Sequence, residues 1–200
     1  MKRLKLRIPA MAGKVEVVID DPETHRRGLL LVAHPHSLHG GSLENKVVTT
    51  LAKTAFDRGW VAVRPNFRGV GMSEGTFDAG VGETEDLLAV ARFVEKSYPE
   101  LPWVLVGFSF GAYVQHRLCQ RLTARRLILI APAVTMYEFE PVPADTVVIF
   151  GDADELIPPT AMQHWADAQQ LNVKVIPNAG HFFHGKLKEL KQAFVEACPC

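Results

Sequence analysis

No stretch of this chain approaches the roughly 20 apolar residues needed to span a bilayer. Met1–Arg7 alternates basic and apolar residues without the apolar core of a secretion signal. Excess charge is missing as well. Lys plus Arg and Asp plus Glu each total 22, giving a formal net charge of zero, so no global basic field gathers nucleic acid or anionic lipid. Arg117, Arg121, Arg125 and Arg126 form a local basic set, read as a solvated helix end. Cysteine is scarce: Cys119, Cys198 and Cys200 are the 3 present, an odd number that frames no disulfide scaffold and suits a reducing compartment. Cys198-Pro199-Cys200 lacks nearby partners for a metal and reads as a frayed tail. A cytoplasmic protein without membrane or nucleic-acid partners is therefore expected, its oligomeric state left open. Repeats, low-complexity tracts and Gly/Ser linkers are also absent. With 48% hydrophobic and 22% charged residues over 200 positions, the chain is expected to fold as one domain, residues 1–200.

What the sequence does have is alternation of two periodicities. Leu4, Leu6 and Ile8, then Val15, Val17 and Ile19, alternate as two strands do. Short continuous apolar runs follow at Gly28–Ala33, Val61–Arg64, Trp103–Val106, Leu127–Ile130, Val147–Phe150 and Val173–Ile176, rich in Val, Ile and Leu as strands covered on both faces must be. Helical segments lie between them: Lys46–Arg58, Glu83–Lys96, Phe110–Leu122, Thr160–Gln169 and Lys186–Ala197. In the second, Leu87, Leu88, Ala91 and Val94 form one stripe while Glu85, Arg92, Glu95 and Lys96 face outward. Pro159 and Thr160 open the fourth, where a missing N–H does no harm. Strand and helix in turn predict an α/β fold with a mostly parallel central sheet between helices, a three-layer α/β/α sandwich. The glycine-rich stretch Pro65–Gly82 is expected to be a long polar surface loop near the functional edge.

Gly107-Phe108-Ser109-Phe110-Gly111 sits between a strand and an apolar helix. This is the context in which a G-x-S-x-G pentapeptide acts as a nucleophile elbow instead of an ordinary turn. The flanking glycines are needed because a Cβ there would collide with neighbouring backbone. The following helix N-terminus offers partial positive charge to an oxyanion. A serine hydroxyl at its normal pKa is a poor nucleophile, so a base and a group to orient that base are required. Gly151-Asp152-Ala153-Asp154 follows one later strand and Asn178-Ala179-Gly180-His181 another, which brings both loops to the carboxyl edge that carries Ser109.

The order Ser109, Asp154, His181, each on a loop after a strand, resembles the α/β-hydrolase family over nearly the whole chain. Gly151–Pro158 matches its G-x-x-D-x-x-[VI]-P pattern and implies Asp154 as the acid. The loop at His181-Phe182 implies His181 as the base. Asp152 and His184 are the rival positions: Asp152 is nearer its strand end and suits a turn, and His184 suits a helix cap, whereas Gly180 frees the backbone to aim His181. Glu155 is expected to face solvent. The loop Ala33–Gly41 resembles the family's H-G segment, with Pro35 where glycine is usual. Proline has no N–H to give, so the backbone N–H of His36, with Ser37 next, is expected to pair with that of Phe110 as oxyanion hole. His34 is expected to brace this loop. A metal held by His34, His36 and His39 is disfavoured for want of a carboxylate or cysteine nearby. Asn66–Ser73 resembles the family's D-x-R-G-x-G-x-S segment, with Asn66 for the usual aspartate and Arg68 tying the loop; the Lys-Ser/Thr of a phosphate-binding loop is missing.

The resemblance implies a serine hydrolase acting on small or exposed carboxylic esters through an acyl-enzyme, with no metal or organic cofactor. It is similar to the dienelactone-hydrolase group, which has cysteine where this chain has Ser109, and a haloalkane dehalogenase would need a carboxylate there. Thioesterase, peptidase and an idle binding module are the alternatives. Only Ala131–Asp145 separates Ile130 from the next strand, which leaves no room for a cap. Met136, Tyr137 and Phe139 are candidates for an apolar rim.

Overall fold

The computed structural model describes residues 2–198; of the tail expected to fray, Cys198 is instead buried with its N–H on the Phe194 carbonyl, and Pro199 and Cys200 lie outside the described residues. Eight strands form one sheet in the order β1-β2-β4-β3-β5-β6-β7-β8. β1 (Lys2–Ala10) and β2 (Gly13–Asp21) make an antiparallel hairpin, and β2 runs antiparallel to β4 (Trp60–Pro65). From β4 onward every pairing is parallel, through β3 (Gly28–Ala33), β5 (Trp103–Phe108), β6 (Arg126–Ile130), β7 (Val147–Gly151) and β8 (Asn172–Ile176). The pleat sends alternate residues of a strand to opposite faces, and the two cores follow that rule. Leu30, Val32, Val104, Val106, Ile128 and Ile130 pack under α1 (Lys46–Phe56), α4 (Pro159–Ala168) and α5 (Leu187–Ala197). Leu29, Leu31, Ala33, Leu105, Leu127 and Leu129 pack under α2 (Val81–Glu95) and α3 (Phe110–Cys119). The result is the three-layer α/β/α sandwich of an α/β-hydrolase fold.

Local chemistry sets the helix ends. The Asn45 side chain accepts the Val47 N–H at 2.9 Å and starts α1. α2 begins two residues before the predicted Glu83, because the buried Glu83 carboxylate reaches back to accept the N–H groups of Gly80 (2.8 Å) and Asp78 (2.9 Å). Pro159 is the first residue of α4. Residues 131–146 join β6 to β7 without a helix or strand, so the fold carries no cap. None of the helices among the described residues is long and apolar enough to cross a membrane.

Two expectations need correction. β8 is not covered on both faces: it is the sheet's outer strand, and only its last residue, Ile176, is buried. The segment after β4 is not a plain surface loop either, for Asn66, Phe67, Arg68 and Ser73 are buried. Its polar groups can be buried because each is paired inside the protein. Arg68 donates twice to Asp86 of α2, at 2.8 and 3.0 Å, and once to the Gly82 carbonyl at 2.8 Å. Asn66 accepts the Leu43 N–H and donates to Glu16 of β2, both at 2.8 Å. An aspartate at position 66 would lack that donor and would face Glu16 with like charge, which accounts for the departure from the family pattern.

Removing one partner of a buried ion pair strands the other, a loss of about 3–5 kcal/mol. Arg68→Met is expected to lower unfolding free energy by that order in urea titration, with Arg68→Met/Asp86→Leu recovering part of it. A single variant as stable as the wild type would contradict the pairing.

Candidate active site

Ser109 occupies the turn between β5 and α3 at φ 56°, ψ −117°, a left-handed backbone that costs a residue with a Cβ about 1–3 kcal/mol. Backbone bonds hold it there: Ser109 N–H to Ile130 O at 2.8 Å and Ala112 N–H to Ser109 O at 3.0 Å. The turn is tight enough that a Cβ on Gly107 would overlap the Gly111 carbonyl, and one on Gly111 would overlap the carbonyls of Ala33 and His34. Both glycines are therefore required by backbone approaching backbone. The strain is stored where the serine hydroxyl must project from the sheet edge.

The structure brings together the three residues singled out in sequence. His181 Nε2 lies 3.0 Å from Ser109 Oγ, and His181 Nδ1 lies 2.8 Å from Asp154 Oδ2. An ionised carboxylate only accepts, so the proton belongs on Nδ1, leaving Nε2 to accept from the serine hydroxyl. The other carboxylate oxygen of Asp154 accepts the N–H groups of Leu156 (2.9 Å) and Ile157 (2.8 Å), which fixes its orientation. Asp154 and His181 are buried. The Phe108 ring lies 5.2 Å from the imidazole, and Phe182 meets it edge-on at 5.1 Å.

The rival positions do other things. Asp152 is exposed and accepts the Asn178 N–H at 2.6 Å, pinning one loop to the next. His184 is exposed in the turn before α5. Glu155, expected to face solvent, is exposed, yet its carboxylate also accepts the His181 N–H at 3.1 Å and so anchors that histidine's own backbone. Nothing in the sequence distinguishes it from a surface glutamate, since the bond depends on two distant loops meeting. The part expected of Gly180 also changes. The positive φ angles in this loop belong to Asn178 (53°), Phe183 (52°) and Gly185 (71°), while Gly180 makes room for the Glu155 carboxylate.

His34 is fully buried, with both ring nitrogens engaged: Nδ1 lies 2.7 Å from the Pro35 carbonyl, and Nε2 accepts the Phe67 N–H at 2.9 Å. These bonds require the neutral ring with its proton on Nδ1. They also do more than brace. The Pro35 carbonyl and the His36 N–H belong to one planar trans peptide and point in opposite directions, so holding the carbonyl toward His34 turns the N–H away from it. Gly41 is needed on the same spot, because a Cβ there would overlap the Pro35 carbonyl. The N–H of Phe110, first residue of α3, has no intrahelical acceptor.

His36, Ser109, Phe110 and His181 line a single cavity of about 460 Å³ with Met136, Tyr137, Leu156, Ile157 and Phe182 among its apolar walls. No Asp, Glu, Lys or Arg lines it. Phe139 is not on this rim as anticipated; it packs against His116 and Trp165 instead. Burial, with the neighbouring His39 second, lowers the pKa of His36, and the Glu83 carboxylate opposes that shift.

Burial also lowers the His34 pKa from 6.5 to about 4, against the opposing pull of the Pro35 carbonyl. Between those values the unfolded chain takes up a proton there and the folded chain does not. The contribution to stability is therefore complete above about pH 6.5 and is lost as the pH falls toward 4. At about 1.4 kcal/mol per pK unit, the wild type should lose about 3 kcal/mol across that window that His34→Asn does not lose. Urea unfolding at a series of pH values checks this, and parallel curves for the two proteins would refute it.

Solved structures share the architecture. The chain aligns over 98% of its length, and 93% of the other's, with XC6422 from Xanthomonas campestris, described as a serine hydrolase without a lid, at TM-score 0.93 and 40% identity. It aligns over 99% of its length with an alpha-beta serine hydrolase homologue from Coxiella burnetii, covering 97% of that chain, at TM-score 0.90 and 38% identity. An uncharacterized protein of Rickettsia prowazekii, RP471, is 34% identical over 196 residues, covering 90% of this chain and 82% of that one. With the fold described above, the two solved structures place this chain among the α/β serine hydrolases. Residues 24–144 match the family model described as serine aminopeptidase, S33, and the chain belongs to that family.

Proposed function

We propose that this hydrolase is a serine esterase in which Ser109, His181 and Asp154 form the catalytic triad and the backbone N–H groups of His36 and Phe110 form the oxyanion hole. The observation that carries the reading is the continuous hydrogen-bonded path from hydroxyl to imidazole to carboxylate, 3.0 and 2.8 Å, opening into an uncharged cavity. Ser109 Oγ attacks the ester carbonyl carbon as His181 Nε2 takes its proton. The tetrahedral oxyanion lies against the two N–H groups, and Asp154 stabilises the imidazolium. Collapse expels the alcohol, whose oxygen receives the proton from Nε2. Water, deprotonated by the same nitrogen, then attacks the acyl-enzyme and releases the acid and Ser109.

The uncharged lining favours a neutral ester over a peptide with a free amino terminus. An α-ammonium group entering this cavity would need a carboxylate, and the acids beside His181 line no part of it: Asp154 spends its oxygens on His181, Leu156 and Ile157, and Glu155 accepts the His181 N–H. The substrate class proposed is thus a small or exposed carboxylic ester, with no metal or organic cofactor called on in these steps. A nucleic-acid or membrane partner forms no part of it.

Ser109→Ala should abolish fluorophosphonate labelling and lower kcat for p-nitrophenyl esters by at least about 10⁴-fold. Asp154→Asn, which leaves the wrong tautomer, should cost about 10⁴-fold. At φ −54° the backbone of His36 already suits proline. His36→Pro should therefore remove the N–H alone from the backbone and lower kcat by about 10²- to 10³-fold, while His36→Ala keeps the donor and most of the rate. A panel of p-nitrophenyl esters, acyl-CoA thioesters and peptide amides reads the bond type. A folded wild type that neither labels nor hydrolyses any of them would mean an idle binding module, and the esterase reading falls.

A further inference from the structure

We infer that the esters this cavity selects carry a second oxygen acceptor in their acyl part, held by the side chains of His36, His39 and Asn45; the inference rests on the esterase reading above. Outside Ser109 and His181, those three supply the side-chain N–H groups of the cavity lining, the Tyr137 hydroxyl being its other polar group. They stand together on the β3 loop, its 3₁₀ turn Ser37–His39 and the start of α1.

Each has hydrogen-bonding capacity left over. His36 Nδ1 accepts the Leu38 N–H at 3.3 Å, so its proton sits on Nε2, which has no partner among the described residues. Asn45 Oδ1 is taken up capping α1, leaving the amide N–H groups free. The exposed His39 ring, 4.7 Å from that of His36, makes no side-chain hydrogen bond. Across from them the walls are Met136, Tyr137, Leu156, Ile157 and Phe182. A hydrocarbon acyl chain laid on this wall would strip water from the donors and return nothing, whereas a carbonyl or carboxylate oxygen would replace that water.

Strand order decides which half of the ester meets the donors. β3 lies on one side of β5, and β7 and β8 lie on the other. The departing alcohol oxygen must take its proton from His181 Nε2, on the loop after β8, so the alcohol lies toward Phe182 and Leu156. The acyl chain is left with the β3 side. That side presents N–H donors and no carboxylate, so it discriminates by acceptor oxygens and not by a positive charge on the substrate.

The test compares three p-nitrophenyl esters: the pentanoate, the 4-oxopentanoate of equal chain length, and the monoester of pentanedioic acid. Spontaneous release of p-nitrophenol is subtracted, and each kcat/KM is divided by that ester's bimolecular hydroxide rate constant, which corrects for inductive activation of the carbonyl. At least one oxygenated ester is expected to lead the pentanoate by about fivefold to tenfold, the worth of one net hydrogen bond. Which of the two leads distinguishes a neutral carbonyl from a carboxylate as the group held. The lead should shrink toward unity in His39→Leu and further in His39→Leu/Asn45→Ser, where serine keeps an oxygen to cap α1. Equal corrected rates in the wild type, or a lead that survives in the double variant, would overturn the acceptor subsite and leave the esterase reading standing. If none of the three esters is hydrolysed, the esterase reading itself falls.

Discussion

The site depends on one close approach of backbone to backbone. Gly107 and Gly111 let the turn after β5 press against the turn's own carbonyl and against the end of β3, and only in that position does Ser109 hold its left-handed φ with its hydroxyl clear of the sheet. The same contact sets the spacing between the first residue of α3 and the loop that carries His36. Ser109 and the backbone proposed as its oxyanion hole are thus parts of one packed joint, and neither can shift alone.

Around that joint, polar chemistry is divided by place. Toward β1, β2 and β4 the protein buries charge and pairs it: Arg64 with Asp20, Arg68 with Asp86, Glu16 with Asn66, and Glu83 with two backbone N–H groups. These pairs fasten the glycine-rich segment after β4, whose Phe67 N–H meets His34, and His34 in turn fixes the peptide before His36. Toward β7 and β8, by contrast, the cavity walls carry no charge beyond the buried acid that orients His181. The charged half fastens the loop, and the uncharged half lines the cavity.

Much of this was legible in the sequence because it depends on local pattern. Continuous Val/Ile/Leu runs gave β3 to β7 nearly to the residue, and the glycine pair around Ser109 announced its turn. The order of serine, acid and histidine on successive post-strand loops pointed to residues that the fold does bring within hydrogen-bonding distance. What escaped depends on tertiary meetings with no local signal. Glu155 reads as a surface acid until the β8 loop arrives beside it. The segment after β4 reads as solvated because its burial rests on partners 14 to 50 residues away. Phe139 reads as a rim residue by proximity to Met136 and Tyr137, yet the chain turns it toward Trp165. The exposure of β8 follows from sheet order, which apolar spacing does not encode.

The short β6–β7 connection has a kinetic meaning. With no flap to swing aside before a substrate enters or an acid leaves, passage in and out amounts to diffusion through a fixed opening. Under the proposed esterase reading, turnover would then be paced by bond making and breaking at the serine, and not by the slow domain or loop rearrangements that pace gated enzymes. Under the same reading, such an opening would also admit an ester attached to something far larger than the cavity, since only the reacting end has to fit.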